Sequence, residues 1–168
     1  MATLVLIHVA LSLVGIGSGF IVVYGLITAK RLNAWTALFL ITTVATSVSG
    51  FFLPAKHLSP SHVVGAVSLL ALAFAIYGRY SKQMAGLWRL VYVLGSILAL
   101  YLNVFVGVIQ AFLKVPSLRA LAPHQSEPPF AVTQLIVLVL FVALGILAAK
   151  KFRVSTAPAA ATAAATTV

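Results

Sequence analysis

The chain has 168 residues, of which 62% are hydrophobic and 7% charged. Soluble domains carry about 25% charged residues, so a water-soluble fold of this composition would leave its apolar surface uncovered. Eleven Lys and Arg stand against a single acid, and there is no cysteine, which excludes disulfides, thiolate metal sites and a cysteine nucleophile.

The apolar residues fall into long runs, taken here in chain order. The first, Leu4 to Ile27, lacks a basic leader and is longer than a signal-peptide core, so it reads as an uncleaved span closed by Lys30 and Arg31. The second, Trp35 to Leu53, stops at Pro54. The third begins at Ser61, behind Ser59 and Pro60, a capping residue followed by proline at the first helical position. The fourth runs from Leu87 to Leu113, and the fifth from Phe130 to Ala149 after the break at Pro128 and Pro129. Each run has about the twenty residues that cross a bilayer core. In lipid the backbone must satisfy itself, which leaves helices or closed barrels. A barrel would alternate apolar and polar over about ten residues, whereas these runs are apolar all round.

The predicted fold is therefore all-α. A transmembrane bundle of five helices occupies residues 1–153, with spans at about 4–27, 35–53, 61–78, 87–113 and 130–149, and a disordered Ala/Thr-rich tail follows at 154–168. The cations partition between alternate gaps. Eight (Lys30, Arg31, Arg79, Lys82, Arg89, Lys150, Lys151, Arg153) fall in one set and three (Lys56, Lys114, Arg119) in the other. The positive-inside rule then predicts a multi-pass inner-membrane protein with its N-terminus outside and its C-terminus in the cytoplasm. Tyr24, Trp35, Tyr77, Tyr80, Trp88 and Tyr92 would form an aromatic belt at the inner boundary. The +10 net charge then meets lipid headgroups and not nucleic acid. The expected partners are the bilayer and either another membrane protein or a second copy of the chain.

The topology sends His8, His57, His62 and His124, with the lone acid Glu127, toward the outer side. His8 lies inside a span, where ionisable groups are costly and face the bundle interior. It shares one helical face with Ser12, Gly15 and Gly19. That face suits either a flat cofactor or quinone beside an imidazole, or close packing through small residues with His8 hydrogen-bonded to a neighbour. His62, in the first turn of its helix beside Gly65, is disfavoured as a cation by the helix dipole. It suits a ligating neutral imidazole or a boundary residue that caps or meets headgroups. His57 and His124 read as solvated loop residues. Ser96, Ala99, Asn103 and Gln110 make a polar stripe in the fourth span. Asn103 needs a partner in hydrocarbon, for which Thr42, Thr43, Thr46, Ser47 and Ser49 of the second span are the expected source. Thr46, Asn103 and Gln110 would also line a substrate path, although a transporter for ions usually adds a buried charge. Glu127 suits helix capping or an ion pair with Arg119. No paired carboxylates, phosphate loop or zinc-protease motif is present, so catalysis and a metal site are not expected.

His8, the basic pair Lys30 and Arg31, Ser49-Gly50-Phe51 and His62-Val63-Val64-Gly65 resemble the pattern of small bacterial inner-membrane proteins, some of them similar to cytochrome b561-like membrane proteins. The likeness covers about the first half of the chain. It implies one b-type haem held between His8 and His62, without further intramembrane histidines for a second. The functional expectation is a non-catalytic structural, accessory or binding subunit. The alternatives are an electron carrier with one haem or a quinone near the outer face, and a small transporter or channel.

Overall fold

The computed structural model describes residues 2–53 and 60–153, so His57, Lys56 and the expected tail at 154–168 lie outside the described residues. The described residues form helices α1 (Ala2–Ile27), α2 (Asn33–Gly50), α3 (Pro60–Ile76), α4 (Trp88–Lys114), α5 (Pro116–Leu121) and α6 (Pro128–Lys151), with a π-helical turn at Tyr77–Ser81. The protein is all-helical. α1, α3 together with the π-helical turn (His62–Ser81), α4 and α6 are long and apolar enough to cross a membrane, as an integral membrane protein requires.

The helix ends follow local chemistry. α1 closes with a Schellman arrangement: Lys30 N–H donates to Gly25 O (2.8 Å) and Ala29 N–H to Leu26 O (3.4 Å), with Ala29 left-handed at φ 56°. α4 stops where Val115 is extended (φ −85°, ψ 117°) ahead of Pro116, which opens α5. Glu127 is likewise extended before Pro128 and Pro129 at the start of α6. The six-residue α5 was expected as loop; it is the one helix that the apolar runs did not anticipate.

Cross-helix pairs show consecutive long helices running antiparallel. His8 meets Ser49 while Gly19 meets Phe39, and Gln134 meets Phe105 while Phe152 meets Tyr92. One end of the bundle therefore holds His8, Gly50, His62 and Gln110, and the other holds Lys30, Arg79, Arg89 and Lys150.

The expectation of five spans, with the short, Gly- and Ala-rich third the weakest, needs a correction at α2. Its 18 residues carry Thr36, Thr42, Thr43, Thr46, Ser47 and Ser49, and it falls short of the apolarity that the other long helices have. All four threonines are buried, while Leu38, Ile41 and Val48 point outward. α2 is thus amphipathic with its polar side inward, packed against α1, α3 and α4.

The other end carries a second correction. Tyr92, expected in a surface belt, is 1% exposed. Its ring lies 5.0 Å from the Arg79 guanidinium, which is itself buried and donates to Asn33 Oδ1 at 2.6 Å. Tyr24, Trp35, Tyr77 and Tyr80 do face outward. Arg89 Nη1 donates to Ala149 O (2.9 Å) and to Phe152 O, satisfying carbonyls that the end of α6 leaves open.

Candidate functional site: a polar cavity among α1 to α4

The face of α1 that holds His8, Ser12, Gly15 and Gly19 does two different things along its length. At Gly15 and Gly19 it packs. A Cβ on Gly15 would stand 3.1 Å from Asn103 Nδ2 and from Thr43 Oγ1, and one on Gly19 would stand 2.5 Å from Leu100 Cδ1 and 3.0 Å from the Phe39 ring. At Ser12 and His8 the helices part, and a cavity of about 320 Å³ opens. That size is at the lower end of the range for small-molecule pockets.

The cavity gathers five of the residues singled out from the sequence: His8, His62, Thr46, Asn103 and Gln110. Ser12, Ser47 and Ser68 add hydroxyls, and Phe51, Val64, Leu102 and Val106 add apolar wall. Among the described residues, no carboxylate, lysine or arginine lines it. His124 and Glu127 do not reach it, and the described residues contain no group of three or more His, Cys, Asp or Glu that could hold a metal ion.

Each polar group has a definable state. His8 Nδ1 is 2.8 Å from Ser49 Oγ. Asn103 takes its partner from α1, not from the threonines of α2: Ser12 Oγ donates to Asn103 Oδ1 at 2.7 Å, and Asn103 Nδ2 donates to Ser12 O at 3.4 Å. Ser47 Oγ donates to Ser68 Oγ at 3.1 Å, tying α2 to α3. The His62 ring lies 5.5 Å from the Phe51 ring, tilted by 54°, so the two form an aromatic wall. Gly65 leaves room for that wall, since a Cβ there would approach Phe51 to 3.2 Å.

Thr46 is the exception. It is 8% exposed, and its Oγ1 has no hydrogen-bond partner. Leaving a buried hydroxyl unsatisfied costs about 1–3 kcal/mol. α2 already contains the remedy used elsewhere, because Thr42 Oγ1 donates back to Leu38 O at 2.7 Å. Thr46 forgoes it and lines the cavity.

Ser68 was not picked out from the sequence. The signal existed: His62, Gly65 and Ser68 recur at three-residue spacing and share one helical face.

Outside the spans, Glu127 is held by its own loop. Its Oε1 accepts from His124 N–H (3.1 Å) and its Oε2 from Ser126 N–H (3.0 Å), in place of both expected roles, a side-chain cap on α6 and an Arg119 ion pair. Partial withdrawal from water pushes its carboxyl up, but these backbone donors outweigh that and hold it below the ordinary carboxylate value.

No protein-family model, no curated protein and no solved structure matches this chain. The likeness to cytochrome b561-like proteins therefore gains no support from them.

Proposed function

We propose that this chain is a non-catalytic binding subunit of the inner membrane, and that it holds a small uncharged ligand in the cavity among α1 to α4. The observation that carries this reading is Thr46 Oγ1, buried and unsatisfied in a wall that also holds His8, Asn103 and Gln110. The described residues of the wall carry no charge, which favours a neutral molecule, because an ion there would lose its hydration without a charged side chain of the wall to meet it. The orientation belongs to the same proposal. With eight cations at the Arg79 end, that end faces the cytoplasm and the cavity lies toward the outer side.

Mass analysis of small molecules extracted from protein purified in native-lipid nanodiscs tests the reading. Wild type is expected to retain a species that a Val106→Trp variant, with the cavity filled, does not. Identical extracts from the two folded proteins would defeat it.

One observation favours the electron carrier as a second reading: His8 and His62 line one cavity. Against one iron between them stands Phe51, whose ring already lies against His62. Protein expressed with ample haem and lacking a Soret band would remove that reading. The transporter reading is weakened below Asn103, where Gly15 and Gly19 pack against α2 and α4 and shut the bundle.

A further inference from the structure

The hydrogen bonds around His8 bear on which ring nitrogen carries its proton. Ser49 Oγ has one proton, and it donates that proton to Thr46 O at 3.0 Å. With that proton on Thr46 O, Ser49 Oγ accepts in its 2.8 Å contact with His8 Nδ1, and His8 Nδ1–H donates. A neutral imidazole with a proton on Nδ1 carries a lone pair on Nε2. This tautomer is assigned from the network. It leaves Nε2 as the nitrogen that His8 can offer to the cavity it lines.

The rest of the wall has the opposite polarity. Thr46 Oγ1–H is uncommitted, and Ser68 accepts from Ser47, so its own proton is free to turn elsewhere. The cavity thus presents an acceptor on α1 and hydroxyl donors on α2 and α3, beside the Phe51 and His62 rings. A ketone or ether placed against His8 would set lone pair against lone pair. A carboxylate would do the same, with no charged side chain among the described lining residues to meet it. A hydroxyl on an aromatic ring meets every requirement: its proton goes to His8 Nε2, its oxygen can accept from Thr46 or Ser68, and its ring lies on the aromatic wall.

We infer that the ligand is of the phenol class, a neutral aromatic ring whose hydroxyl donates to His8 Nε2. The inference rests on the cavity being a binding site. A site built to pair a hydroxyl discriminates against the analogue that lacks it. The loss of one neutral hydrogen bond is expected to weaken binding by about tenfold.

The probes are 4-propylphenol and its methyl ether, 4-propylanisole, added to protein labelled with ¹⁵N at histidine and embedded in nanodiscs. The His8 ring signals are identified by their loss in His8→Phe. The expected spectrum shows Nδ1 protonated and Nε2 bare. The phenol should shift the His8 Nε2 signal, and the ether should bind about tenfold more weakly. His8→Phe should bind the two probes alike. A His8 ring protonated on Nε2 would overturn the inference, and that measurement needs only the wild-type protein. Equal binding of both probes, abolished by Val106→Trp, would overturn the hydroxyl assignment and leave the binding site standing. Binding of neither probe would remove both.

Discussion

Two threonines one helical turn apart on α2 differ in what their hydroxyls face. Thr43 Oγ1 and Thr46 Oγ1 are both buried without a partner, but only Thr46 lines the cavity. Replacing either with Val removes an unsatisfied group at nearly constant shape. Each variant is expected to be more stable than wild type by about 1 kcal/mol, read from unfolding in detergent. Only Thr46→Val should also lower ligand retention, and equal retention by the two variants would assign the cavity no role for that hydroxyl. The same contrast explains what the sequence could reveal. Lipid penalises every polar side chain in a span, so His8, Thr46 and Asn103 were bound to face inward and could be picked out one by one. Their partners could not. Asn103 pairs with Ser12 because of how α1 and α4 are rotated about their axes, and that rotation is set by tertiary packing.

At the scale of the elements, the departures come from helices whose surroundings differ from lipid. α2 looked like a fifth span because its apolar residues are continuous enough in sequence. Its hydroxyls were legible, but not that three neighbouring helices take them in. α5 was invisible because six residues carry no helical period worth reading. Close approach of helices is where single substitutions bite. A Cβ at Gly95 would stand 2.8 Å from Ala71 O, a backbone atom of α3 that cannot step aside, and 3.1 Å from Ala75 Cβ. Gly95→Ala is expected to destabilise the protein by about 1–3 kcal/mol. Gly107→Ala, whose Cβ would meet only Ile16 Cδ1 at 3.6 Å, should stay within about 0.5 kcal/mol of wild type. Thermal unfolding of the two variants side by side checks this, and equal shifts would mean that the contact between α3 and α4 is softer than described. The π-helical turn after α3 has a similar local purpose. It brings Arg79 under α2 and over Tyr92, where the guanidinium joins three elements.

For the molecule as a whole, the absence of cysteine gives a direct way to read topology, because any introduced thiol is the only one present. Ser117 on α5 and Lys151 at the end of α6 are both exposed and lie at opposite ends of the bundle. In intact cells with a permeabilised outer envelope, a membrane-impermeant maleimide is expected to label Ser117→Cys and spare Lys151→Cys. The reverse pattern would invert the proposed orientation and move the cavity to the cytoplasmic side. The alternation of cations was legible from their positions along the chain, while the division of labour among the helices was not. α6 packs on α4 and α1, is held at its end by Arg89, and contributes nothing to the cavity wall. During synthesis, every part of the chain that builds the wall therefore leaves the ribosome before the last hydrophobic segment. The pocket wall can be assembled while translation is still under way, and the later helix then adds Phe141, Ala148 and Phe152 to close the apolar core.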